Sequence, residues 1–208
     1  MTPSTLLIRG GLLSGLVAPL WWILLIFVGA TLVDGHSLKS DFISELAARE
    51  SPAAGFMVGG GFILTGLLYL WFTAAATWTL RRDVWAWVAG ALLAAAALAR
   101  IAAGVYQCDP GCLPSPESAE QLAHRQWAAA GYLLMMLSAL AWGATGTRHA
   151  GLGHLLVWCI GACTWGLVCL VLMSVHEDWQ GLLQRLAGVA LNLWVVVLAL
   201  ALLRRPAT

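Results

Sequence analysis

The sequence predicts an all-α integral membrane protein, a bundle of six transmembrane helices with a short interfacial helix in the first outer loop. Three observations predict it. Hydrophobic residues make up 61% of the 208 and charged residues only 10%, whereas about a quarter of a soluble domain is charged. The apolar residues fall into runs of about 20 or more, the helical length that crosses a hydrocarbon core of about 30 Å. Strand-like alternation is absent, which argues against a barrel. A net charge of +1 without a basic cluster excludes nucleic acid as a partner. A single transmembrane domain over residues 1–208 is the natural division.

The first span runs from Gly11 to Val33. Arg9 and Val28-Gly29-Ala30 imitate a secretory signal, but the run is too long for a signal core and contains Trp21 and Trp22, so it is read as retained. Pro19 should kink it, since proline lacks a donor and crowds the carbonyl of Gly15. The loop DGHSLKSDFISELAARES lines up Phe42, Leu46 and Arg49 on one helical face. It reads as a short helix lying at the interface, capped by Ser40 or Asp41. Ser51 and Pro52 suit the start of a second span that ends at Leu80. The third span runs from Val84 to Tyr106, the fourth from His124 to Thr145, the fifth from His154 to Ser174 and the sixth from Leu182 to Leu203. Gly55, Gly59, Gly60, Gly61 and Gly66 in the second span, and Gly90 and Gly104 among the alanines of the third, let helices approach closely. The short links Arg81-Arg82-Asp83 and 146–153 make sequential spans antiparallel neighbours.

Cations give the orientation. Arg9, Arg81, Arg82, Arg148, Arg204 and Arg205 fall on one side, while Lys39, Arg49, Arg125 and Arg185 share the other with nine of the ten acids. The positive-inside rule then places both termini in the cytoplasm of a multi-pass protein of the cell (inner) membrane. Cys108 and Cys112 flank an Asp-Pro-Gly turn on the acidic side, where a disulfide would persist. Cys159, Cys163 and Cys169 read as small apolar residues. Of the twelve tryptophans, Trp78, Trp85, Trp87, Trp127, Trp142, Trp158 and Trp179 fall near span ends as an aromatic belt, and the deeper Trp165 and Trp194 are candidates to line a pocket. Asn192 reads as an interhelical hydrogen bond.

Arg100 is the most informative residue. It lies about two turns inside the outer end of the third span, where an ionisable group needs a partner. Asp41 and Glu45 are the nearest acids by topology, so the loop helix is expected to fold inward as a lid and bring one of them to Arg100. His124 and His176 should border the same outward-facing cavity. His124, His176, Asp41, Glu45 and Asp109 are the candidate acid-base set, with Arg100, Ser44 and Arg185 as substrate-binding residues. The same nitrogen and oxygen donors make a divalent metal such as zinc a candidate, although no helical metal motif is present. Haem is disfavoured, because all five histidines fall at span ends or in loops and none pairs within facing helices. The structural counterparts are an ion pair pinning the loop and interfacial histidines capping loops.

HSLKSDFISELAARESP after the first span, GVYQCDPGC after the third, a His opening the fourth and SVHEDWQGLLQRLAG before the sixth together resemble the DUF998 family of six-span prokaryotic membrane proteins. The resemblance covers the whole chain. It marks Ser44, Glu45, Cys108, Asp109, Cys112, His124, His176 and Arg185 as motif positions and implies no activity. Two functions from different classes follow from the pocket: an enzyme acting on a lipid or lipid-linked substrate, or a non-catalytic binder, carrier or partner subunit for an amphiphile. Membrane lipids are partners in either case.

Overall fold

A computed structural model describes residues 3–112 and 118–205. Six helices are long and apolar enough to cross a membrane, and no strand occurs among the described residues. They are α1 (Pro3–Thr31), α2 (Ala54–Thr79), α3 (Val84–Val105), α4 (Ala119–Gly146), α5 (Leu155–Met173) and α6 (Gln180–Leu203). Each packs on the next in sequence and α6 returns to α1, so the bundle closes into a ring. α1 continues through Pro19. Leu20, Leu24, Phe27, Val157, Ile160 and Leu167 face outward, as a lipid-facing surface requires.

Four of the six spans start within two residues of where the apolar pattern places them, and α1 begins at Pro3, eight residues before the expected Gly11. α4 starts five residues earlier than the expected His124, because Ser118 caps it by accepting the Gln121 N–H. His124 therefore sits inside the helix instead of at its head, and it is buried. A second departure lies in α2, where Met57–Ile63 forms a π-helical segment around the Gly59-Gly60-Gly61 run. A π turn breaks the normal pairing of carbonyls, which hydrocarbon cannot satisfy. Side chains take over: Trp21 Nε1 donates to Gly60 O at 3.0 Å, and the Thr65 hydroxyl bonds Gly61 O.

The core divides by height. Toward the end carrying Arg81 and Arg204 it is solid, built on Phe72, Leu93, Trp142, Leu155, Trp194 and Leu198. At the other end Trp22, Leu25, Leu46, Met57 and Phe62 form a second cluster beside a cavity. Close helix contact is explicit at Gly66, where a Cβ would lie 3.1 Å from Ala97 O. Trp78, Trp85, Trp87, Trp127, Trp158 and Trp179 are exposed as a belt should be, but Trp142 is fully buried. Trp165 faces outward and Trp194 is sealed in the core, so neither lines the cavity.

Candidate functional site

The cavity has a volume of about 110 Å³ and is walled by α1, α2, α3, α4, α6 and the loop between α1 and α2. Its polar groups are Ser44, Tyr69, Arg100, His124, Tyr132, Gln184 and Asn192, set among Trp22, Phe62, Trp127 and small residues. Arg100 lies five residues from the end of α3, about 7.5 Å of helical rise. Its guanidinium rests over the Trp22 ring at 4.3 Å and the Tyr69 ring at 5.7 Å. Among the described residues it has no carboxylate partner and no hydrogen bond. Cation-π attraction steadies such a charge without neutralising it.

The remaining polar groups are mostly spoken for. His124 Nδ1 lies 2.6 Å from Ala103 O and 2.9 Å from Tyr106 O. Both partners are acceptors, so Nδ1 carries a proton and Nε2 is the nitrogen that can hold a lone pair. The Tyr69 hydroxyl donates to Asn192 Oδ1, and Asn192 Nδ2 donates to Gly188 O at 2.5 Å. Gln184 Oε1 accepts the Ile43 N–H at 2.6 Å and its side chain bonds Tyr132. Arg100 is thus the strong donor left over. Gly188 lines the same space, and a Cβ there would meet nothing within 4 Å.

The loop between α1 and α2 closes the cavity as a lid. Its helical part is a short 3-10 turn, Ile43–Ala47, in place of the expected α-helix. The reason lies in its anchors. Lys39 O accepts the Leu182 N–H at 2.9 Å, Asp41 O accepts Arg185 Nη1 at 2.8 Å, and Ile43 N donates to Gln184. Backbone groups two residues apart are drawn to one helix end, which an α-helix would turn to different sides. Gly181 allows the approach, since a Cβ there would collide with Asp41 O. On the far side Arg49 N donates to Cys108 O at 3.0 Å and Gln107 Nε2 to Ala47 O at 2.9 Å. Arg49 Nη2 also reaches Asp109 at 2.8 Å, Ser118 at 2.8 Å and Glu120 at 3.0 Å. Cys108 and Cys112 are joined in this corner.

Ser44 and the lid come to Arg100's cavity as expected, and so does His124. The acids do not. Glu45 turns back to accept the Phe42 N–H at 2.8 Å, and Asp41 Oδ2 accepts the Ser37 N–H at 2.8 Å. Neither pairs with Arg100, which corrects the expected ion pair: local backbone donors satisfy both carboxylates before the deeper cation is reached. Asp109 belongs to the Arg49 corner, where the Ser118 N–H and hydroxyl and then Arg49 hold its carboxyl below the usual range. His176 is exposed beside Glu177 and Asp178. Arg185 clasps the lid from outside the cavity wall.

Sequence reading passed over His36, which joins Asp41 and Glu45 in a cluster with metal-donor spacing, one donor atom from each within 4.8 Å of the others. Arg185 already occupies it: Nη2 donates to His36 Nε2 at 3.0 Å. The His36 proton is then on Nδ1, toward Asp41 Oδ2 at 3.7 Å. A guanidinium at the centre makes the cluster a clasp and opposes a second cation. Burial, then Arg185, lowers the His36 pKa. Burial pushes the Asp41 carboxyl up, but Ser37, Ser40, His36 and Arg185 outweigh it and hold it low. Glu45 is raised, by burial first.

Over residues 16–201, which reach into all six spans, the chain matches the family described as "Protein of unknown function (DUF998)". The chain belongs to that family. No curated protein and no solved structure matches it. This DUF998 chain is accordingly a multi-pass membrane protein by its family and its six apolar helices. Its activity has to be argued from the cavity.

Proposed function

We propose that this DUF998 protein binds the anionic group of an amphiphile, a carboxylate or phosphate carrying an acyl chain, in the cavity beneath the lid. Arg100 is the observation that carries this reading. A guanidinium inside a membrane span costs about 2.5–3.5 kcal/mol on insertion scales, and structural arginines recover that cost through a carboxylate. Arg100 has two aromatic rings instead. Its planar donors are suited to bidentate capture of an oxyanion, while Trp22, Phe62, Leu93 and Leu191 offer apolar walls to a chain. The acids expected for acid-base work stand outside the cavity, which favours a binder or carrier over an enzyme.

A catalytic reading has one specific support, His124, whose Nε2 lone pair is left available as a general base by the fixed Nδ1 proton. Orientation belongs to the same proposal. The cavity faces outward and both termini are cytoplasmic, in a cell membrane, because Arg81, Arg82, Arg148, Arg204 and Arg205 gather at the opposite end.

Calorimetric titration of the detergent-solubilised chain with oleate, lysophosphatidic acid and uncharged monoolein tests the reading. The two acids should bind and monoolein should not. Equal binding of all three removes the role given to Arg100. Release of a hydrolysis product from lysophosphatidic acid, lost in His124→Gln, would favour the enzyme.

A further inference from the structure

A second, larger concavity lies at the other end of the bundle and is independent of the lid cavity. Its volume is about 950 Å³, and it is framed by the α2–α3 link, the α4–α5 link and the ends of α5 and α6. Arg81 and Arg82 line it from the α2–α3 link and Arg204 and Arg205 from the end of α6, together with His149 and His154 of the α4–α5 link. The acid nearest in sequence is already used. Asp83 accepts the Trp85 N–H at 2.9 Å and bonds His149 Nε2 at 3.1 Å, with Arg148 at 4.0 Å. Arg82, Arg204 and Arg205 make no ion pair with any described residue.

Like charges held around one hollow repel each other, and that repulsion is relieved by an anion shared among them. The floor is apolar. Trp158 of α5 and Leu200 of α6 are exposed there, and the half-buried Val197 and Ala201 of α6 line it as well. A soluble anion has no use for that surface. A lipid places its headgroup among the arginines and runs its chains down the α5–α6 face, where the apolar spans begin at Leu155 and end at Leu203.

We propose that this groove is a binding site for an anionic phospholipid headgroup, and that its two arginine pairs, contributed by two different elements, favour a lipid with two phosphates over one. Basic recesses between transmembrane helices are suited to such headgroups, and each arginine near a membrane surface contributes roughly a fivefold gain in affinity for an anionic lipid.

Native mass spectrometry of the full-length chain in neutral detergent tests the site. The probes are diphosphatidylglycerol, phosphatidylglycerol, phosphatidylcholine and, as a soluble anion, inorganic pyrophosphate. Binding should fall in that lipid order, and pyrophosphate should not displace diphosphatidylglycerol at equal concentration. The combined variant R82Q/R204Q/R205Q should lose on the order of 100-fold in affinity for diphosphatidylglycerol, compounding the fivefold factors. Arg125→Gln, at the opposite end and exposed, should lose nothing. Arg204→Gln alone should give about a fivefold loss, so the proposal stays testable if the triple variant does not fold. Equal retention of charged and uncharged lipid by the wild-type chain overturns the proposal. So does full diphosphatidylglycerol affinity in Arg204→Gln, or tight pyrophosphate binding that excludes the lipid.

Discussion

Replacing Arg100 by leucine separates a binding arginine from a structural one by the sign of its effect on stability. An arginine paired in a buried ion pair leaves a stranded carboxylate when removed, at a cost of about 3–5 kcal/mol. Arg100 strands nothing, because its neighbours are the Trp22 and Tyr69 rings at 4.3 and 5.7 Å. Its removal recovers the insertion cost of about 2.5–3.5 kcal/mol and forfeits cation-π attraction of about 2 kcal/mol for a desolvated site. The difference is on the order of 1 kcal/mol in favour of the variant. Ligand affinity should move the other way. Losing one member of a buried, hydrogen-bonded charge pair costs about 2–5 kcal/mol, a loss of roughly 30-fold or more in Kd. Reversible unfolding in a mixed detergent titration gives the first quantity, and calorimetry with oleate or lysophosphatidic acid gives the second. A variant destabilised by about 3 kcal/mol or more, with unchanged ligand affinity, would show that Arg100 holds the fold together and has no ligand.

Three further outcomes are expected. Gly181→Ala should push the lid from α6, because the added methyl collides with Asp41 O; overpacking of this kind costs about 1–3 kcal/mol, and hydrogen exchange at the Leu182 amide should accelerate, whereas unchanged exchange contradicts the clasp. The clasp should also weaken in acid. His36 and Asp41 have depressed pKa values when folded, so their contribution is present above the unfolded values and is lost as pH falls, beginning below about pH 6.5 for His36. Glu45, raised by burial, acts in the opposite sense: its contribution is present below its unfolded value and is lost as pH rises through the folded one. Exchange at Leu182, corrected for intrinsic rate, should rise between about pH 7 and pH 5, and His36→Gln should abolish that dependence; if the variant keeps it, another group is responsible. Finally, reducing Cys108–Cys112 should cost at most about 2 kcal/mol, since the loop closed is only a few residues long. Intact mass after alkylation should show two modified thiols at these positions only after reduction.

The spans were legible because their signal is long and one-dimensional: about twenty apolar residues bounded by arginines or loop residues. Arg100 was legible for the same reason, a lone cation within such a run. Its surroundings were not. Whether a carboxylate answers a deep cation or a nearby amide depends on loop geometry, and here Ser37 and Phe42 take up Asp41 and Glu45. The start of α4 was hidden because Ser118 and Glu120 lie outside the apolar run. Tyr69, Tyr132 and Gln184 carry no spacing signal, since helices from distant parts of the chain bring them together. The three consecutive glycines of the π segment carry no distinct signal for it, because glycine runs in membranes more commonly mean close packing. His36 gave no warning at all, as its partner Arg185 is 149 residues away.

The most direct test is to ask what leaves the membrane with the protein. Small molecules extracted from the purified wild-type chain, Arg100→Leu and Gly188→Phe should be identified by mass spectrometry against a mock purification. The wild-type sample should carry an acidic amphiphile at up to one equivalent, absent from Arg100→Leu for want of charge and from Gly188→Phe for want of room in the cavity. An amphiphile retained equally by all three chains would contradict a binding site built on Arg100.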